Sequence, residues 1–381
     1  SQEEPEAWAE FVSQVNFEYV EVQGQARGDP KDMVLTLRHR EVSVTVRYSE
    51  VAARDFRLIE QLPQSLEYLW RKFFEEIIDC DNYTPALVLL ACYMVMGERP
   101  SDVRNGTSAG IPMKSQVAYT KSLLMMWRAR DFRGLVEELK RRKKGKRGAP
   151  ALGDRTPSVI QGVIKKVSKG LDGSAMNLLN SKGLAPCDEK TAEKLRKKFP
   201  SAPEIQYDPK QFPERRFGMA TLEEAIRRQH TGAAAGPSGV SAEWLKTLCR
   251  GPRSAPFKAR LLHWINRLVN HEFDSQFAPY IAGAQAVALN KDLAGQDIRP
   301  VLMGDQLRKL ASTCFLVEDT PRLRQFLWPL QLGVGVEGAA ELISRVVRYK
   351  TTRIRAGAES PDTCIYIVDG TNGYNNASRP N

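Results

Sequence analysis

Apolar and polar residues alternate along "DMVLTLRHREVSVTVRYSEV", with Val34, Leu35 and Leu37 followed by Val42, Val44 and Val46. A period of two marks a half-buried strand. The polar residues near His39 to Glu41 interrupt it, so the pattern predicts a hairpin. The period then changes. In "LPQSLEYLWRKFFEEIIDC", Leu66, Leu69, Trp70, Phe73, Phe74 and Ile77 recur at three and four residues, which predicts a helix with a broad apolar face. "ALVLLACYMVM", Ala86 to Met96, is apolar throughout, with Thr84 and Pro85 as N-cap and first position and Gly97 as its stop. It is about half as long as a bilayer requires, so it reads as a buried core helix and no membrane span is expected. Residues 1–100 are thus expected to form an accessory α+β module.

Residues 101–200 read as helical and basic. "SLLMMWRARDFRGLVEELKRRKKGKRGAP" begins amphipathic and runs into Lys140, Arg141, Arg142, Lys143, Lys144, Lys146 and Arg147. So dense a run of cations stays solvated. It is either a linker or localisation signal, or a tail laid along phosphates, where each neutralised phosphate adds a salt-sensitive contribution. Further basic strips follow at Lys165, Lys166 and Lys169, and at Lys194, Arg196, Lys197 and Lys198. The whole chain of 381 residues carries a formal net charge of +11, which favours a polyanionic partner. The hydrophobic fraction of 42% and charged fraction of 27% are those of a folded protein, so the charge does not signal disorder.

The six cysteines are scattered, without a C-x-x-C pair, and the four histidines form no metal motif. Several cysteines sit in apolar runs, which suggests buried, reduced thiols in an intracellular, reducing compartment. The choice between mitochondrion and nucleus stays open. The acidic start, "SQEEPEAWAEF", is neither a signal nor a transit peptide.

Beyond the proline-rich connector "FPSAPEIQYDPKQFP", four pieces follow in order. "GAAAGPSGVSAEWLK" places a sharp turn, Gly236 to Gly239, before a helix capped by Ser241. In "AVALNKDLAGQDIRPVLMGDQLRKLAST" a strand ends at Leu289, Lys291 and Arg299 flank a polar turn, and a helix forms through Leu307, Leu310 and Ala311. "QLGVGVEGAAELISRVVRYK" sets Gly333, Gly335 and Gly338 before a helix presenting Leu342, Ile343, Val346 and Val347. Finally, "CIYIVDGTNGYNNASRPN" carries Asp369 at the end of an apolar strand and Tyr374 five residues on. An acid so placed suits a hard divalent cation.

In this order the pieces resemble reverse transcriptases of the non-LTR retroelement type, over roughly residues 180–379. The resemblance implies the fingers and the start of the palm of a right-hand polymerase, over residues 201–381. The expected fold class is therefore α+β: a helix-rich chain with an N-terminal α+β module, a basic helical region and an incomplete polymerase region. Asp369 matches the first palm acid, which binds catalytic magnesium, and Tyr374 matches the aromatic gate at the incoming sugar. Arg299 matches the fingers arginine, and Gln331 the glutamine that opens the fingers-to-palm segment. Three positions depart from the pattern: Gly370 stands for Phe, Glu337 for Pro, and Ser238 for the Asp of the "GPDG" turn.

Two-metal chemistry needs several carboxylates. If Asn381 is the natural end, Asp369 is an ancestral catalytic and metal-binding acid without its partners. The first expectation is then a domesticated, catalytically inactive reverse-transcriptase-like protein. It would be an RNA-binding or scaffold subunit of a larger ribonucleoprotein, such as an organellar ribosome, that needs no cofactor. The nucleic-acid contacts expected are the cations at 140–147 together with Lys165, Lys166, Lys291 and Arg299. Other protein subunits are expected to cover residues 331–381. The alternative is the N-terminal portion of an active retroelement RNA-directed DNA polymerase, which would use magnesium.

Overall fold

The computed structural model describes residues 19–23, 34–39, 42–47, 64–78, 113–141, 156–168, 170–199, 212–273, 281–292, 295–360 and 362. The expected helix at 86–96, the cations Arg142, Lys143, Lys144, Lys146 and Arg147, and the strand bearing Asp369 and Tyr374 lie outside them.

The described chain is helix-rich with two small antiparallel sheets, an α+β composition. Strands β1 (Tyr19–Gln23), β2 (Val34–His39) and β3 (Val42–Arg47) form the first sheet in sequence order. The expected hairpin is β2–β3, in a register that sets His39 opposite Val42 and Leu37 opposite Val44. β1 adds an antiparallel strand alongside β2 that the alternation did not single out.

Helix α1 (Gln64–Ile78) carries the apolar face anticipated for it. Trp70, Phe73, Phe74, Ile77 and Ile78 are all buried in the main core, at the three- and four-residue spacing of one helical face. Around it pack α2 (Met113–Arg128), α8 (Ala242–Leu248) and α9 (Ala255–Val269), and α3 (Phe132–Arg141) packs on α2. The ring of Trp70 meets that of Trp244 edge to face at 4.6 Å. Phe73 meets Trp127 at 5.5 Å, and Phe74 meets Phe257 at 6.2 Å. Such edge contacts align ring quadrupoles and fix the rotamers of large side chains. α3 buries Phe132, Leu135, Val136 and Leu139 and touches β3, where half-buried Val44 joins the same core. That one cluster also takes in Leu222, Leu261, Leu310 and Cys314, so it runs from α1 through the later helices.

Two charged residues of α1, Arg71 and Glu75, are buried, and the Glu75 carboxylate accepts from Lys72 Nζ at 2.8 Å. Arg71 is only 5% exposed. Its Nε donates to the Leu248 carbonyl at 2.9 Å, and its Nη2 donates to the Arg250 carbonyl at 3.3 Å. Leu248 ends α8, so the guanidinium satisfies carbonyls that a helix terminus leaves open and sits at the negative end of its dipole.

Helices α4 (Thr156–Val167) and α5 (Asp172–Leu179) form a pair. α6 (Glu189–Lys198) follows, capped by Asp188, whose carboxylate accepts the Thr191 N–H at 2.8 Å. α7 (Met219–Arg228) packs against α10 (Gln306–Leu327). The segment before α7 is laced to α9: Asn270 Oδ1 accepts from Arg215 N, and Asn266 Oδ1 from Phe217 N. The second sheet pairs β4 (Ala284–Asn290) with β5 (Ile298–Gly304).

α10 changes character along its length. Its first turns bury Leu307, Leu310, Ala311 and Cys314, whereas Leu316, Leu323 and Phe326 are exposed. α11 (Ala339–Arg355) has no buried residue, and Ile343, Val346 and Tyr349 face outward. Among the described residues, no helix is long and apolar enough to cross a membrane.

Replacing Arg71 by Met keeps the apolar stem but leaves the buried Leu248 carbonyl, and the partly buried Arg250 carbonyl, without their donor. Urea unfolding should show a loss on the order of 1–3 kcal/mol. Trp70→Ala should cost about 3–5 kcal/mol in the same assay, and a loss below ~1 kcal/mol in both would remove α1 from the core that stabilises the fold.

Candidate nucleic-acid interface

The first two of the four sequence pieces meet in space. The turn at Gly236–Gly239 closes on a Gly239 N–H to Gly236 carbonyl bond of 3.0 Å. It seats on the junction between β5 and α10. A Cβ at Gly236 would lie 2.4 Å from the Gly304 carbonyl oxygen and 2.5 Å from Asp305 Cα, so two main chains touch where only glycine fits. Asp305 fastens the contact. One carboxylate oxygen accepts the Leu307 N–H at 3.0 Å and caps α10; the other accepts the Ser238 N–H at 3.1 Å. Ser238 is fully buried, and its hydroxyl accepts from Val240 N. Ser241 then caps α8 as anticipated, accepting the Trp244 N–H at 3.3 Å.

Beside this junction a cleft of about 540 Å³ opens between the end of α7 and the first turns of α10. Arg228, His230, Arg308 and Lys309 line it, with Ser312 and Thr313. Its floor is a polar chain. Gln306 Nε2 donates to Gln229 Oε1 at 2.6 Å, and Gln229 Nε2 donates to Thr313 Oγ1 and to the Ala225 carbonyl, each at 3.0 Å. Both glutamines are buried, so the floor is fixed. Arg228 and Arg227 share Glu224, whose carboxyl they hold down at about 2. The cations of this cleft were not singled out by the sequence pattern. Arg308 and Lys309 fall between the apolar Leu307 and Leu310 that marked the helix, and Arg228 ends a helix whose partner lies some eighty residues on. Their only sequence signal was a cation pair at the polar edge of each of two helices.

The turn between Lys291 and Arg299 is ordered from within and from outside. The Asp292 carboxylate accepts the N–H groups of Gln296 and Asp297 at 2.9 and 2.8 Å. Lys194 Nζ, from α6, donates to the carbonyls of Gly295 and Gln296 at 2.9 and 3.0 Å. Lys198 and Lys291 each reach the Asp297 carboxylate at 2.8 Å. Hydrogen bonds from these two lysines hold that carboxyl well below the usual carboxylate range. On the other side of β4, Ala185 N donates to the Ala288 carbonyl and Asn290 N to the Gly183 carbonyl, both at 2.9 Å. The third basic strip is thus partly structural: Lys194 and Lys198 clamp the hairpin, and Arg196 pairs with Glu189 at 2.6 Å.

The other expected contacts are spread over the surface. Arg299 flanks the turn as the second residue of strand β5, and its side chain is exposed. Lys140 and Arg141 end α3, with Arg141 on Glu138 at 2.5 Å. Lys165 and Lys166 end α4. Of the glycine-rich third piece, Gly335 is the position with a steric demand: its left-handed backbone lies against α10, where a Cβ would be 2.6 Å from Thr320 Cγ2. Gln331 Oε1 accepts the Gly333 N–H at 2.6 Å. Burial pushes the thiols of Cys249 and Cys314 up to about 12, so both stay protonated and unreactive at neutral pH. Among the described residues, no group of three or more His, Cys, Asp or Glu is placed to hold a metal ion. Comparison of the chain with protein-family models, with curated proteins and with solved structures finds no match.

Gly236→Ala forces two main chains apart and should cost about 1–3 kcal/mol. Asp305→Ala removes a cap and orphans a buried N–H, for a loss on the order of 2–4 kcal/mol. Both act on one junction, so the double variant should lose less than the sum in denaturant unfolding; strict additivity would separate the two contacts. The Asp297 clamp sets a pH dependence. Its carboxyl is depressed in the fold, so its contribution is complete above the unfolded value of about 4 and fades as pH falls toward the folded one. The gap in thermal midpoint between wild type and Asp297→Asn should be widest above about pH 4 and close below it. The stability difference behind that gap should stay under ~1 kcal/mol, because the carboxylate is half exposed.

Proposed function

We propose that this chain is a reverse-transcriptase-like protein whose fingers-like region and basic segments bind RNA, as an RNA-binding or scaffold subunit of a ribonucleoprotein. The observation that carries this reading is the seating of the Gly236–Gly239 turn on Asp305. Two of the sequence pieces behind the resemblance are far apart in the chain, and their contact supports their being parts of one unit. The cationic residues around that unit supply the attraction for phosphates. Apolar side chains exposed on α11 support a protein partner at residues 331–381, and those on the second half of α10 extend that surface upstream.

The role proposed for this chain is binding, with no cofactor. The second reading, an N-terminal portion of an active polymerase, is favoured by one sequence observation: Asp369 and Tyr374 keep the spacing of acid and sugar gate. Primer extension with primed RNA, deoxynucleotides and magnesium separates the two. Extension that Asp369→Ala abolishes would establish the polymerase reading.

The binding itself is tested by fluorescence anisotropy on a single-stranded RNA over a range of salt. Replacing the cations of 140–147 by Gln should weaken binding. It should also flatten the slope of log K against log salt by about 0.7 for each phosphate no longer neutralised. Preference among RNA sequences should not change, because phosphate contacts position without specifying. An unchanged slope would make the run a solvated linker.

A further inference from the structure

We infer that the cleft between α7 and α10 is a phosphate seat, built to hold a compact phosphate group of a phosphomonoester or polyphosphate. This goes beyond RNA binding by the basic runs and stands on separate geometry. Arg228, His230, Arg308 and Lys309 reach the cleft from two helix ends. Glu224 offsets part of the Arg228 charge and Asp305 keeps its negative charge beside the cleft, yet Arg228, Arg308 and Lys309 together leave a cationic excess. Its volume of about 540 Å³ falls in the range of small-ligand sites. Gln229 and Gln306 are locked to each other and to Thr313, which gives the floor a fixed shape.

Arg308 is the central residue. Its Nε is buried and has no hydrogen-bond partner among the described residues, which calls for an acceptor. Its guanidinium lies against Gly304: a Cβ there would come 2.1 Å from Arg308 Nη2. The missing side chain at Gly304 is what lets the planar fork rest at the cleft wall. A guanidinium held in this way matches two phosphate oxygens, while Lys309 adds a point charge. A compact dianion is favoured over a single internal diester, because several cations converge on one small volume.

The test is calorimetric titration of the whole chain with pyrophosphate at fixed ionic strength. Saturable binding is expected. Arg308→Gln should weaken it about 10- to 100-fold, and Lys309→Gln should also lower it. Lys121→Gln, a charge-matched change at an exposed residue of α2 that does not line the cleft, should not alter it. Gly304→Ala is the sharper variant: it keeps every charge and displaces only the end of a flexible side chain, so the fold should survive while affinity falls. Circular dichroism melts confirm that each variant is folded.

Competition identifies the source of the phosphate. Displacement of pyrophosphate by a 5′-phosphorylated RNA oligonucleotide, but not by its 5′-hydroxyl twin, assigns the seat to an RNA end. Displacement by neither assigns it to a free phosphate compound, and equal displacement by both overturns the preference for a compact dianion. No saturable binding, or binding that ignores both Arg308→Gln and Gly304→Ala, overturns the seat itself. RNA binding by the basic runs is read separately by the salt slope.

Discussion

A single buried carboxylate sets the geometry of the second half of this protein. Asp305 must cap α10 and hold the Ser238 N–H at once, and its two oxygens can do so only if the glycine turn lies in main-chain contact with Gly304. From that condition the rest follows. α10 starts at a fixed point, so Arg308 and Lys309 face the end of α7. β5 ends at the same point, so the β4–β5 hairpin takes its direction from it. The turn also delivers Ser241 to the start of α8, and α8 carries Trp244 into the core against Trp70.

The core and the polar surface are joined by a second device of the same kind. A charged side chain is used where a helix end would otherwise present open carbonyls, as Arg71 does for α8. Lys194 does the equivalent for the tip of the β4–β5 hairpin. Basic residues therefore divide into two groups, those that complete the fold and those that face solvent. The net charge of the chain overstates the number available to a polyanion.

Much of the local structure was legible in the sequence. The β2–β3 hairpin followed from strict alternation, α1 from its apolar spacing, and the Ser241 cap from the turn before it. β5 was not anticipated. "IRPVLMG" alternates weakly, and Pro300 argues against a strand unless its missing N–H falls where no partner needs it. The site was less legible than the fold. The lysine clamp joins residues about a hundred apart, and the cleft joins α7 to α10, so no local period reports either. The glycine turn was seen as a turn, but its reason, the touching backbone of Gly304, exists only in three dimensions.

The bond from Arg71 to the Leu248 carbonyl spans 177 residues of chain. On a ribosome adding about 5–20 residues per second, that span takes roughly 9–35 s to appear. Throughout this interval Trp70 and Phe74 lack their partners Trp244 and Phe257, and the arginine of α1 has no terminus to close. Birth order, more than final stability, makes α1 the described helix that waits longest for its core partners.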